Sequence, residues 1–244
     1  MPSITERARM LGYALKGSLP RVPVRARHAE WSVISSADDL YVRPNGELVE
    51  LLLRAATLAR TVDLSEIAAR SSAQEAVFVR TWPGEHYRLL TALATALPAR
   101  KAVEIGTYRG HSALALAAGL APGGKVVTYD VVPWREVDGA ILRLDDLNRL
   151  EQRIGDLSDV RYLETELDTL RSADLIFLDG PKDGIFEPNF CRAALSELTD
   201  RPRLVVFDDI RVMTMIRLWR DLPYAKLDAT SLGHWSGTGL LMTA

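Results

Sequence analysis

Cysteine is almost missing from this chain: Cys191 is alone among 244 residues. One thiol cannot form an internal disulfide and cannot build a cysteine-rich zinc site. A reducing compartment, the cytoplasm, is therefore the expected setting. Charge of one sign is missing too, since 30 Lys and Arg against 32 Asp and Glu leave a net charge of −2. That balance gives no electrostatic footprint for nucleic acid, and no nucleic-acid partner is expected. No apolar run approaches the roughly 20 residues of a membrane span, and the first residues lack a signal peptide's apolar core, so no membrane partner is expected. The one local imbalance is at residues 1–28, where Arg7, Arg9, Lys16, Arg21, Arg25 and Arg27 face Glu6 alone. A solvated arm, or a short helix packing on the domain or on a second copy in a homodimer, is the plain reading. A transit peptide or a membrane-surface segment is the alternative.

With 48% apolar and 25% charged residues, the chain has the makings of an ordinary globular core. Residues 1–46 read as irregular. Helical spacing of leucine and alanine predicts a helix over 48–62, a second over 67–77 after a break at Asp63-Leu64-Ser65, and a third over 85–97. From residue 101 strands and helices alternate. Strands are expected at 103–105, 126–130, 160–163, 174–179, 204–208, 225–229 and 239–242. Helices are expected at 112–120, 140–154, 186–198 and 212–222. Such alternation implies an α/β fold, a Rossmann-like, mostly parallel seven-stranded sheet with helices on both faces. The last two strands are joined too briefly for a crossover helix, which makes an antiparallel last strand. The expected division is a helical N-terminal extension over 1–80, acting as a cap or oligomer contact, and the sheet domain over 81–244.

The first strand ends in Glu104-Ile105-Gly106-Thr107-Tyr108-Arg109-Gly110-His111-Ser112. A strand that turns on glycine into a helix offers free backbone N–H groups at a positive dipole end, suited to an anionic or nucleoside-bearing ligand. The spacing G-x-x-x-G is not the dinucleotide fingerprint G-x-G-x-x-G. Asp130 ends the second strand, 20 residues after Gly110, where a carboxylate can accept both ribose hydroxyls; a turn or helix cap is its other reading. Asp179 ends the fourth strand, and Asp208-Asp209 the fifth. Parallel neighbours hold strand ends about 5 Å apart, so three carboxylates converge, and a cation would relieve their repulsion. Oxygen donors favour Mg²⁺, Mn²⁺ or Ca²⁺ over zinc. Otherwise one acid caps a helix and another pairs with Lys182 or Arg211. Lys182, three residues past Asp179, can point back over the same rim and act as a base where the ammonium is disfavoured; an ordinary surface lysine is the alternative.

These residues resemble the class I S-adenosylmethionine-dependent methyltransferases, most closely the cation-dependent catechol and caffeoyl-CoA O-methyltransferase group. The run Glu104–Ser112 is similar to that group's E-hydrophobic-G-x-[YF]-x-G-x-S motif. Asp179-x-x-Lys182-Asp183 is similar to its D-x-x-K-D segment, and Asp208-Asp209 falls where the group has D-N. The resemblance implies a transfer of methyl from S-adenosyl-L-methionine to a hydroxyl of a small molecule, assisted by a divalent cation, Mg²⁺ first. It implies that Gly106 and Gly110 let the backbone approach the cofactor, that Tyr108 packs on it, and that Ser112 holds its carboxylate. Asp130 would take the ribose, Glu104 would brace the glycine turn, and Thr165 with Glu166 would lie near adenine. Asp179, Asp208 and Asp209 would ligate metal, Asp179 beside the cofactor as well, and Lys182 would be the base.

Two departures stand out. Asp209 replaces the group's Asn, and Gly180-Pro181 replaces an aromatic near the lysine. Trp31, Trp82, Trp134 and Trp235 are expected as pocket walls or core; His111 and His234 are candidate catalytic helpers, with a helix start the plainer reading of His111 and a free loop position that of His234. A nicotinamide-dependent oxidoreductase on a Rossmann sheet is the rival reading, opposed by the glycine spacing and the antiparallel end. A non-catalytic binding module of the same fold is a second rival, opposed by the intact Asp179, Lys182 and Asp208 set.

Overall fold

The computed structural model describes residues 44–244. The basic arm and Trp31 lie outside the described residues. Asn45 caps the first helix, its side chain accepting from the Leu48 N–H at 2.8 Å, and α1 (Gly46–Ala59) buries Leu48, Leu51 and Ala55. The single helix expected over 67–77 is two. α2 (Ser65–Arg70) stops and α3 (Ala73–Arg80) restarts at a capping box between Ser72 and Glu75. A serine side chain that satisfies the next helix's free N–H groups competes with continuation of the previous one. α4 (Tyr87–Ala96) follows.

The sheet then assembles from β1 (Lys101–Ile105), β2 (Lys125–Asp130), β3 (Leu150–Ile154), β4 (Leu175–Leu178), β5 (Leu204–Asp208), β6 (Ala225–Asp228) and β7 (Thr238–Met242). Its order is β3-β2-β1-β4-β5-β7-β6. All pairs are parallel except those of β7, which runs antiparallel to β5 and to β6. The intervening helices are α5 (His111–Gly119), α6 (Val160–Ser172), α7 (Phe186–Ala194) and α8 (Met213–Asp221).

Alternating side chains of each central strand feed two cores. Ala102, Leu175, Phe177, Leu204, Val206 and Leu240 join α1, α4 and α5 on one face. Val103, Ile176, Leu178, Val205, Phe207 and Leu241 join α6, α7 and α8 on the other. With both faces covered, these strands read as continuous apolar runs. Leu48 and Leu51 share a core with Leu89 and Leu240, so the helices over 46–80 pack directly on the sheet domain. α5 lies so close to α4 that a Cβ on Gly119 would stand 2.2 Å from the Thr91 carbonyl oxygen.

Two further expected elements are corrected. Residues 140–154 are not a helix: they form a loop, a short 3₁₀ turn and the edge strand β3. Leucine spacing mimicked a helix there, yet Leu144 and Leu147 face solvent. The strand itself, Leu-Glu-Gln-Arg-Ile, is disguised by the charges that sheet edges carry. Residues 160–163 are not a strand but the first turn of α6, capped by Asp159, whose side chain accepts from the Arg161 N–H at 2.8 Å. Leu163 and Leu170 then recur on its buried face.

Candidate functional site

At the carboxyl end of the sheet, β1 and β4 meet at the switch point where strand order reverses. Gly106 takes φ +103° there, and a Cβ on it would stand 2.1 Å from the Asp179 carbonyl oxygen, so no side chain fits. The turn is pinned on both sides. The Gly106 N–H donates to the Tyr129 carbonyl at 2.8 Å, and the Asp179 N–H donates to the Ile105 carbonyl at 2.9 Å. Asp130 accepts from the backbone N–H of Tyr108 at 2.9 Å and of Val132 at 3.1 Å, which fixes its carboxylate at the mouth of a cavity of about 650 Å³.

Gly106, Tyr108, Asp130 and Asp179 all line this cavity. Glu104 lies beneath it, fully buried, where its Oε2 accepts from the Thr128 hydroxyl at 2.6 Å. Burial pushes the Glu104 carboxyl up to about 8, against hydrogen bonds from Ser112 and Thr128 that pull it down. Ser112 is buried in the first turn of α5 and does not line the cavity. Gly110, at φ +90°, lies against Leu142: a Cβ would meet that side chain at 2.4 Å. Thr165 and Glu166 lie within α6 and do not line the cavity. Glu166 instead accepts from the Tyr129 hydroxyl at 2.7 Å and pairs with Arg153. Their expected place follows from a strand at 160–163, which is helix; the strand end is Ile154, and Gly155, Asp156, Leu157 and Ser158 line the cavity in their place. The Gly155-Asp156 pair after an apolar residue was the available signal.

The second half of the site is a charge cluster. Lys182 is left-handed at φ +52°. The loop is held by Glu187, which accepts from the Lys182 N–H at 2.8 Å, and by Thr214, which donates to its carbonyl at 2.9 Å. The ammonium pairs with Asp179 and stands 3.4 Å from Asp209 Oδ2 and 3.9 Å from Asp208 Oδ2. Burial pulls the pKa of Lys182 down, but the charges of Asp179, Asp208 and Asp209 outweigh it and hold the amine above its ordinary range.

Two histidines and a glutamate, unforeseen as a group, complete the cluster. His234 Nδ1 lies 3.1 Å from Asp208 Oδ1 and 3.6 Å from Asp209 Oδ1, and its Nε2 lies 3.4 Å from Glu85 Oε2. His86, 5% exposed, sets its Nδ1 3.5 Å from the same Asp208 oxygen and lies tilted against Phe177 and edge-on to His234. Burial would raise the Asp208 carboxyl, but His86, His234 and Lys182 hold it well below the usual range. Ser236 donates to Asp209. His111 stays apart at the start of α5, 3.0 Å from the Ser71 hydroxyl.

Asp208, Asp209 and His234 bring one donor atom each within 4.8 Å of one another, as do Glu85, His86 and His234. The donor set thus suits a dication, with the Lys182 ammonium among the same carboxylates. Of the tryptophans, Trp82 donates to the Leu232 carbonyl at 2.9 Å and Trp134 packs on the core. Trp235 stands 73% exposed beside His234. Among the described residues no helix is long and apolar enough to cross a membrane.

The sheet order, the reversed β7 and the glycine turn define the Rossmann-like fold of the class I methyltransferases. Within it, the chain belongs to the O-methyltransferase family, whose model matches residues 61–217. It is 30% identical over 146 residues to the catechol O-methyltransferase of Mycobacterium tuberculosis (strain ATCC 25618 / H37Rv), covering 58% of this chain and 63% of that protein. Over 47 residues it is 49% identical to mouse catechol O-methyltransferase domain-containing protein 1, covering 19% of this chain and 18% of the mouse protein. The chain thus spans less than two thirds of these relatives. A caffeoyl-CoA O-methyltransferase candidate from Staphylococcus aureus shares the fold, with a TM-score of 0.53 at 15% identity, over 80% of this chain and 100% of that one.

Proposed function

We propose that this protein is an S-adenosylmethionine-dependent O-methyltransferase that methylates a hydroxyl of a small molecule in the cytoplasm, with a divalent cation in its acid cluster. One observation carries the reading: Asp179 belongs both to the glycine-turn cavity and to the Lys182 cluster, so a methyl donor in the first would abut an acceptor at the second. The bound cofactor would supply a methyl already activated on a sulfonium, leaving the protein chiefly to align an oxygen in line with it. Gly106 would give that cofactor backbone access, Tyr108 a packing surface and Asp130 a ribose partner. Asp179, Asp208 and Asp209 would hold the cation, whose charge would lower the acceptor hydroxyl's pKa.

Lys182 would take the hydroxyl proton. An amine surrounded by three carboxylates stays an ammonium, so this role needs those carboxylates engaged elsewhere, and the base and the cation stand or fall together. Calorimetric titration with S-adenosylmethionine and with NADH, followed by a methylation assay on a panel of catechols, phenols and sugars with and without chelator, tests the reading. Binding of NADH alone would sink it. Full methylation in excess chelator would remove the cation and, with it, the role given to Lys182.

A further inference from the structure

We infer that His234 is a nitrogen ligand of the cation site, which is therefore a mixed imidazole–carboxylate site that selects a transition-metal dication over Mg²⁺. The inference rests on the cation reading proposed above and departs from the all-oxygen set of Asp179, Asp208 and Asp209.

Three observations carry it. First, Asp208, Asp209 and His234 bring one donor atom each within 4.8 Å of one another, and His234 is shared with a second such set, Glu85 and His86. Asp179 is turned to Lys182 instead. Second, the imidazole is oriented from behind. Its Nδ1 faces the two aspartates, with the Ser236 hydroxyl 2.7 Å away, while its Nε2 faces Glu85 Oε2 at 3.4 Å. A metal-bound histidine characteristically gives its other N–H to a carboxylate, which fixes the tautomer and raises the ligand's basicity. The His234 backbone is anchored as well, its N–H donating to the Thr238 hydroxyl at 2.8 Å, so the ring is presented from a fixed point rather than a free loop. Third, His86 Nδ1 is buried without a hydrogen-bond partner and points at the same Asp208 oxygen, 3.5 Å away. Buried polar atoms are rarely left unsatisfied. A buried imidazole nitrogen with no hydrogen bond, set beside His234, whose own Nδ1 already reaches Asp208, points to a nitrogen-seeking occupant.

Imidazole suits zinc, nickel, copper and iron, whereas Mg²⁺ prefers oxygen and water. The departure at Asp209 fits this assignment, because one neutral imidazole and two carboxylates balance a dication.

The test uses the full chain and the metals alone. Mn²⁺ bound to the protein should show nitrogen hyperfine coupling by pulsed electron paramagnetic resonance, and Co²⁺ should bind more tightly than Mg²⁺ in calorimetric titrations. H234A should abolish the nitrogen coupling and weaken Mn²⁺ and Co²⁺ binding about 10- to 100-fold, with E85Q weakening it less. Both variants should keep S-adenosylhomocysteine affinity, which shows that they are folded. Nitrogen-free Mn²⁺ spectra in the wild type, or unchanged Mn²⁺ affinity in H234A, would overturn the inference while leaving an oxygen-ligated cation intact. If the wild type binds no dication at all, the cation reading falls with it. D208N is the control for location, since it should weaken every dication bound at this site whichever ligand set is correct, and unchanged binding in D208N would overturn the inference by placing the metal elsewhere.

Discussion

Gly106 and Asp179 are in backbone contact across the switch point: the space a Cβ of residue 106 would need is filled by the Asp179 carbonyl, 2.1 Å away. This contact ties the glycine turn to the strand end that carries the charge cluster. G106A must therefore part β1 from β4 as well as adopt a left-handed backbone. A loss of about 3 kcal/mol or more in stability is expected, together with loss of measurable S-adenosylmethionine binding. Gly123 provides the comparison, since it is also left-handed at φ +76° but has nothing within 4 Å. G123A should cost only about 1 kcal/mol. Chemical denaturation of the two variants checks the contrast, and equal losses would show that conformation, not the contact, decides.

Asp130 is held by two backbone N–H groups but still has lone pairs to accept ribose hydroxyls. D130A should weaken S-adenosylmethionine by about 10- to 100-fold, the equivalent of 1.5–3 kcal/mol for a hydrogen bond to a charged group. Calorimetry against the wild type measures it. An unchanged affinity would return Asp130 to a purely local role in the turn.

Glu104 predicts a pH dependence of stability. Its carboxyl titrates near 8 when folded against an ordinary value of 4.5, so between those values the folded form keeps a proton that the unfolded form has lost. The stabilisation is full below about 4.5 and is lost as pH rises toward 8, by at most roughly 1.4 kcal/mol per pH unit. E104Q should flatten that decline, so the gap between variant and wild type moves in the variant's favour from pH 5 to pH 8. Parallel melting curves across this range check it; a constant gap would mean that Glu104 is ionised throughout.

Lys182 neutralises a cluster that would otherwise be three nearby carboxylates. K182M should lower methylation by about 10²- to 10⁴-fold, the range for loss of a general acid–base group. The variant should also melt lower than the wild type and regain stability on addition of Mn²⁺, because the dication would take over the neutralising charge. Melting temperatures with and without metal provide the readout, and a K182M protein indifferent to Mn²⁺ would count against a cation among these acids.

Much of this arrangement was written locally. Apolar runs ending in Asp130, Asp179 and Asp208 announced the parallel strands and the rim they share, and the brief link before residues 239–242 announced the reversed strand. What stayed hidden depends on distance or on disguise. Edge strand β3 carries Glu151 and Arg153, and its upstream leucines imitate helical spacing, so Gly155 and Asp156 were overlooked. Glu85 and His86 precede α4 and lie far along the chain from His234; nothing local to either says that Asp208 joins them. His234 stands out in the sequence as a candidate catalytic helper in a loop, without a sign of its partners, and nothing marks Ser236 as reaching Asp209.

The position of β7 has a consequence for the order of events during synthesis. Because this strand slots between β5 and β6, and His234 reaches Asp208 only from the loop that leads into it, the acids on β5 emerge from the ribosome well before the imidazole that faces them. Until residues 234–242 arrive, one edge of β5 is unpaired and Asp208 lacks His234. The glycine-turn half of the site is thus complete in the chain first, and the acid-and-imidazole half waits for β7, which pairs with β5 and β6 and brings His234 to Asp208.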